Sequence, residues 1–164
     1  AARRSTQEVY GQASAMALPF KAGAFDAAVA CLVFEHITAL RQAIMEVSRV
    51  LIQGGTFIFL LNHPLLQTPG SGWVDDYMSA PPSHYWRVGH YLVQHESLEE
   101  VQLGVRIPFV HRPLSEYVNT LSENGLQLER MLEPSPPAGF LERNESYRAA
   151  AHIPRLLVLI CRKR

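Results

Sequence analysis

Asp26-Ala27-Ala28-Val29-Ala30-Cys31-Leu32-Val33 is an almost unbroken apolar run, and Thr56-Phe57-Ile58-Phe59-Leu60-Leu61 is a second one. Runs without alternation suit strands covered on both faces, as in a parallel sheet. Between them Leu40, Ile44, Val47 and Leu51 recur at helical spacing, so an amphipathic helix joins the two runs. Thr38 is placed to cap its start and Gly54 to end it. Strand, helix, strand is a crossover unit whose two strands lie parallel, which commits this half of the chain to an α/β sheet.

Outward from that unit the texture changes. From Asn62 to His111, Pro64, Pro69, Gly70, Gly72, Pro81 and Pro82 punctuate the chain, and Trp73, Tyr77, Tyr85, Trp86 and Tyr91 are concentrated there. The segment reads as an insertion, with Tyr85 to Gln94 and Val105 to Val110 as the arms of a hairpin. Pro113 then suits the first turn of a helix with the apolar face Leu114, Tyr117, Val118 and Leu121, stopped by Gly125. Leu126 to Leu132 and Leu156 to Cys161 are two further strands, separated by the breaker cluster Glu133-Pro134-Ser135-Pro136-Pro137.

The 164 residues are 48% hydrophobic, and 15 basic side chains balance 15 acidic ones. That is the size of one globular domain, with no electrostatic footprint for nucleic acid or an anionic bilayer. Cys31 and Cys161 both sit in apolar runs and read as buried small hydrophobes in a reducing compartment. The sequence has no apolar run of the ~18 residues a membrane span needs, nor one at its start, so a soluble, cytoplasmic protein is expected. His84, His90 and His95 share no helical face and have no cysteine partners, so no metal site is expected. The sequence also has no serine in a Gly-x-Ser-x-Gly turn.

Several segments, taken in order, are more specific. Gly11-Gln12-Ala13-Ser14-Ala15-Met16-Ala17-Leu18-Pro19-Phe20, Phe25-Asp26, Leu32-Val33-Phe34-Glu35-His36, Glu46-Val47-Ser48-Arg49-Val50-Leu51 and Gly54-Gly55 follow at a spacing that resembles the class I S-adenosylmethionine-dependent methyltransferases, in particular the small-molecule group. His111-Arg112-Pro113-Leu114-Ser115-Glu116-Tyr117, followed by Gly125 and Glu133-Pro134, resembles the closing segment of a subset of that family. The resemblance implies an α/β fold: a Rossmann-like methyltransferase sheet of strand order 3-2-1-4-5-7-6 with an inserted lid. Glu8 to Gly11 would be its third strand, Asp26 to Leu32 the fourth, Thr56 to Leu61 the fifth, Leu126 to Leu132 the sixth and Arg155 to Cys161 the seventh. Strands one and two, with their Gly-rich cofactor turn, have no counterpart. Residues 1–164 are therefore read as a single, N-terminally incomplete methyltransferase domain, with residues 62–111 as the lid.

The same resemblance implies S-adenosylmethionine as cofactor, with Gln12 and Ala13 against the adenine and Cys31, Leu32 and Val33 beside the methionine part. Most relatives carry aspartate at the Gln12 position; the amide still offers an acceptor, though without charge assistance. His36 stands at the mouth of the cleft as a general base, with His63 and His111 as lesser candidates. The competing readings are a capping or packing histidine at His36 and polar loop residues at the other two. Trp73, Trp86 and Tyr91 would wall the acceptor pocket, and Arg112 would hold an acid or phosphate on the acceptor. Against that, irregularly spaced aromatics make a small core of their own, and Arg112 can pair with Glu116.

Two functions follow. The first is methyl transfer from S-adenosylmethionine to a small or lipophilic molecule, the chain being an inactive fragment if the cofactor turn is indispensable. The other is a non-catalytic methyltransferase-like module that associates, with a second copy or another partner, through an exposed sheet edge; Gln12 and Ile52-Gln53, where relatives have Lys-Pro, lean that way. A generic nucleotide-binding domain is the third reading, since fold does not fix function.

Overall fold

Phe25–Cys31 form β1, Leu40–Val50 form α1 and Leu51–Asn62 form β2, with the two strands parallel as a crossover requires. The computed structural model describes residues 8–143 and 150–164. α1 buries Leu40, Ala43, Ile44, Val47 and Val50, the expected stripe with its neighbours. Its N-cap is Ala39, which offers no side-chain cap, and not Thr38. The helix also stops at Val50, well before Gly54, because the chain passes directly into β2. Gly55 is what permits that passage: a Cβ there would lie 2.9 Å from the Ile52 carbonyl oxygen and 3.2 Å from that of Asp26.

The region after β2 folds as two hairpins. Gly72–Asp76 (β3) pairs with Ser83–Arg87 (β4), and His95–Gln102 (β5) with Val105–His111 (β6), both antiparallel. The partner of Val105 to Val110 is therefore the acidic strand β5 and not Tyr85 to Gln94. A two-residue link, Leu103-Gly104 with Gly104 at φ +77°, makes the local pairing the cheapest closure.

Leu114–Glu123 (α2) follows Pro113, which sits at the N-cap, and Gly125 at φ +73° ends it. Leu126–Leu132 (β7), the short helix Ala138–Leu141 (α3) and Leu156–Lys163 (β8) complete the elements that position the site. The main sheet has the order β1-β2-β8-β7, with β8 antiparallel to both neighbours. That is the 4-5-7-6 half of the sheet expected from the resemblance.

β2 alternates strictly, with Phe57, Phe59 and Leu61 buried and Ile58, Leu60 and Asn62 half-buried. The buried face packs on Phe34, Ile44, Tyr117 and Leu121, so α1 and α2 cover the same side of the sheet.

Three expectations are corrected here. β1 is not covered on both faces: it is an edge strand, Ala28 and Ala30 turn to the core, and Val29 is 66% exposed. Cys31 shares the parity of Val29 and is exposed, whereas Cys161 is buried. Glu8 to Gly11 form no strand, because among the described residues nothing offers them a ladder.

Candidate functional site

The carboxyl ends of β1, β2 and β7 lie at one end of the sheet, where open α/β sheets hold their ligands. β1 leaves the sheet through Leu32, whose N–H donates to the Leu60 carbonyl at 2.9 Å while its backbone sits at φ +53°. A left-handed leucine is strained, and such strain concentrates where backbone must face a ligand. Leu32 and Val33 are 39% and 44% exposed there, beside exposed Cys31.

The segment carrying Gln12 and Ala13 is exposed, and the chain just beyond it is pinned to α1. Glu46 Oε2 accepts the Leu18 N–H at 2.8 Å, and Arg49 donates to the carbonyls of Leu18 at 3.0 Å and Phe20 at 2.7 Å. The two side chains also bond each other at 2.7 and 2.8 Å. The Arg49 guanidinium and the Leu18 N–H hold the Glu46 carboxyl down at about 2. Its mark in the sequence is a Glu-x-x-Arg step whose glutamate falls on the buried side of the helix.

A short 3-10 turn, Phe34–His36, carries Glu35 and His36. Glu35 is buried, and its Oε1 accepts the Asn62 side-chain N–H at 2.8 Å and the Asn62 backbone N–H at 3.3 Å. His36 is half-buried and donates from Nδ1 to the Pro108 carbonyl at 2.9 Å, which leaves Nε2 as the acceptor nitrogen. Arg112 is 2% exposed and donates to the carbonyls of Ile37 at 2.7 Å and Thr38 at 2.8 Å. Its guanidinium is thus spent on backbone, with no ion pair to Glu116 among the described residues.

Trp73 and Trp86 do come together, edge to face at 5.4 Å. Trp73 also stacks on His84 at 4.4 Å, and His84 Nδ1 bonds Asp75 Oδ1 at 2.6 Å. The two indoles line a cavity of about 470 Å³ with Asn62, Gln67, Phe140 and Leu156, bounded by Pro134 to Pro137 after β7. The Trp86 indole N–H is buried and has no hydrogen-bond partner among the described residues.

The remaining candidates lie elsewhere. Tyr91 packs on the His111 ring at 5.9 Å and accepts the Leu114 N–H at its hydroxyl, 3.0 Å away, so it serves the start of α2. His63 is committed at both nitrogens: Nδ1 accepts the Leu65 N–H at 3.1 Å and Nε2 donates to Glu133 Oε1 at 2.9 Å. His111 donates from Nε2 to the Tyr91 carbonyl at 2.8 Å, and its buried Nδ1 has no partner among the described residues. Glu35 is the residue that sequence reading passed over, since a buried carboxyl leaves no mark in a local pattern.

Residues 1–59 match the family model described as a methyltransferase domain. A solved S-adenosylmethionine dependent methyltransferase from Mesorhizobium loti superposes at a TM-score of 0.81 and 22% identity, covering 98% of this chain and 72% of that one. The chain has the class I S-adenosylmethionine-dependent methyltransferase fold. A Listeria monocytogenes protein assigned to the same class superposes on this methyltransferase fold at 0.78 and 23% identity, over 95% of this chain and 69% of that one. Geranyl diphosphate C-methyltransferase from Streptomyces coelicolor A3(2) is more distant, at 0.57 and 11% identity over 93% of this chain and 51% of its own. No curated protein sequence matches the chain. No helix among the described residues is long and apolar enough to cross a membrane.

Proposed function

We propose that this methyltransferase domain moves a methyl group from S-adenosylmethionine to a small, apolar or planar acceptor seated between Trp73 and Trp86. The observation that carries the reading is the aromatic cavity at the ligand end of the sheet, lined by Asn62 at the end of β2 and by the segment that follows β7. Exposed Cys31, Leu32 and Val33 offer backbone groups and apolar side chains that fit the methionine part of the cofactor, and Gln12 offers an amide to the adenine. When bound, S-adenosylmethionine supplies an electrophilic methyl group on a sulfonium. The chain's own work is then positioning, which can account for most of such a rate enhancement. Trp73, Trp86 and Phe140 hold the acceptor and exclude water, and the lid reading of residues 62–111 rests on the first two of these walls. His36 Nε2 is the half-buried histidine nitrogen offered to take a proton, whereas both nitrogens of His63 are engaged and the open Nδ1 of His111 is buried.

Calorimetric titration with S-adenosylhomocysteine, beside adenosine as control, tests the cofactor half of the reading. Saturable binding of the first, tighter than that of the second, is expected, and absence of binding by both would refute it. Trp73→Ala and Trp86→Ala should each weaken apolar ring binding without altering S-adenosylhomocysteine binding.

A second reading, association through the outer edge of β1, is favoured by the exposure of Val29 on an otherwise apolar strand. Light scattering across a range of concentrations tests it; a constant monomer mass would exclude a second copy.

A further inference from the structure

Behind the aromatic cavity lies a chamber faced by two buried hydrogen-bond acceptors that no donor reaches among the described residues, although Gln67, Tyr117 and Arg112 share its lining. Glu35 is 3% exposed, its Oε1 is occupied by Asn62, and its Oε2 is buried without a partner among the described residues. His111 is 2% exposed, and because its Nε2–H is given to the Tyr91 carbonyl, its Nδ1 presents a lone pair, likewise without a partner. Both residues line a single void of about 10 Å³, with Gln67, Asn62 and Tyr117 also in its wall. Asn62 and Gln67 line the aromatic cavity as well, so the two spaces share a wall. The half-buried Gln67 side-chain amide makes no hydrogen bond among the described residues.

Buried acceptors are almost always paired, so the chamber calls for a donor. Its volume suits one water-sized group and is too small for a methyl group. Charge narrows the choice. Arg112 and Glu35 line the same wall, both buried, so the chamber already carries one charge of each sign and a cationic head would add an unbalanced one, while a neutral O–H or N–H adds none.

The geometry points to Glu35 and His111 as the polar end of the acceptor site, selecting molecules that carry a neutral hydroxyl or amino group on an apolar ring. This rests on the reading of the Trp73 and Trp86 cavity as the acceptor site. Glu35 and His111 act here as specificity-determining residues, and a methylated head would be excluded by size and by loss of its donor.

NMR titration of the cofactor-free protein with two ligand pairs tests the proposal. The pairs are 4-methylphenol with 4-methylanisole, and 4-methylaniline with its N,N-dimethyl derivative. In at least one pair the donor-bearing member should bind about ten-fold tighter, the size of one well-made hydrogen bond. The His111 Nδ1 resonance should move with that member only. Glu35→Gln, anchored at Asn62 through its carbonyl, turns an amide donor into the chamber; it should abolish the preference and leave the methylated members' affinity unchanged. Equal affinities within both pairs of the wild type would overturn the proposal while sparing the cavity, and so would a preference that survives Glu35→Gln. If none of the four ligands binds, the cavity reading falls and this one with it.

Discussion

Arg112→Met removes a buried clamp, and its cost can be worked from the hydrogen bonds. The guanidinium makes two short bonds, 2.7 Å to the Ile37 carbonyl and 2.8 Å to that of Thr38, and a long one of 3.5 Å to Phe34. A bond from a charged donor is worth about 1.5–3 kcal/mol when its partner is left dry. Ile37 is half-buried and Thr38 exposed, so water can replace part of what is lost and the lower end applies to both. The long contact adds little. The sum is about 3 kcal/mol, since methionine retains most of the apolar stem and the guanidinium, whose central carbon lies 6.0 Å from the Tyr117 ring centroid, is too far off for its loss there to add much. For a chain of this size that is a fall of roughly 6–12 °C in Tm. Thermal unfolding followed by circular dichroism measures it, with Arg112→Lys alongside. Lysine keeps the charge but cannot fork between two carbonyls, so it should recover less than half of the loss. A drop of under about 2 °C in Arg112→Met would refute the clamp and return the guanidinium to ligand binding.

Three further outcomes are expected. Gly55→Ala should cost about 2 kcal/mol in denaturant unfolding, because the new methyl group meets backbone oxygens of Ile52 and Asp26 that cannot swing aside. The Glu46 carboxyl titrates lower in the folded chain than in the unfolded one, so its contribution is complete above its ordinary value of 4.5 and disappears as pH falls toward about 2. The Tm gap between wild type and Glu46→Gln should therefore close over that interval; a gap that stays constant would remove the pinning role. A thiol reagent should label exposed Cys31 at once and Cys161 only on unfolding, since burial pushes the Cys161 thiol up to about 11. Equal labelling rates would contradict the sheet order.

The α/β half of the fold could be read because its cues are local. Uninterrupted apolar runs and the Leu40, Ile44, Val47 stripe mark β1, α1 and β2, and Pro113 and Gly125 bracket α2. The hairpins were harder. β5, His-Glu-Ser-Leu-Glu-Glu-Val-Gln, is exposed almost throughout, so no alternation announces it, and its pairing is set by a two-residue turn. In the site, aromatic composition pointed to Trp73 and Trp86, which meet, and to Tyr91, which does not join them. Arg112 and His63 look like ligand-binding residues in a sequence, and only tertiary contacts reveal that backbone and Glu133 have claimed them. Glu35 was overlooked for the opposite reason: its partners, Asn62 and the His111 chamber, are far along the chain.

The excursion that carries both hairpins begins and ends on the same few residues. Asn62 is tied to Glu35, Pro108 to His36, and Arg112 to Ile37 and Thr38. What lies between those ties is a loop closed at its own base, and the free energy of closing such a loop grows by only about 0.6 kcal/mol for each doubling of length. Hairpins could be lengthened, shortened or exchanged there without disturbing the sheet. The Phe34–Thr38 segment thus works as a socket, one in which evolution can refit the hairpins as a cassette while the sheet stays as it is.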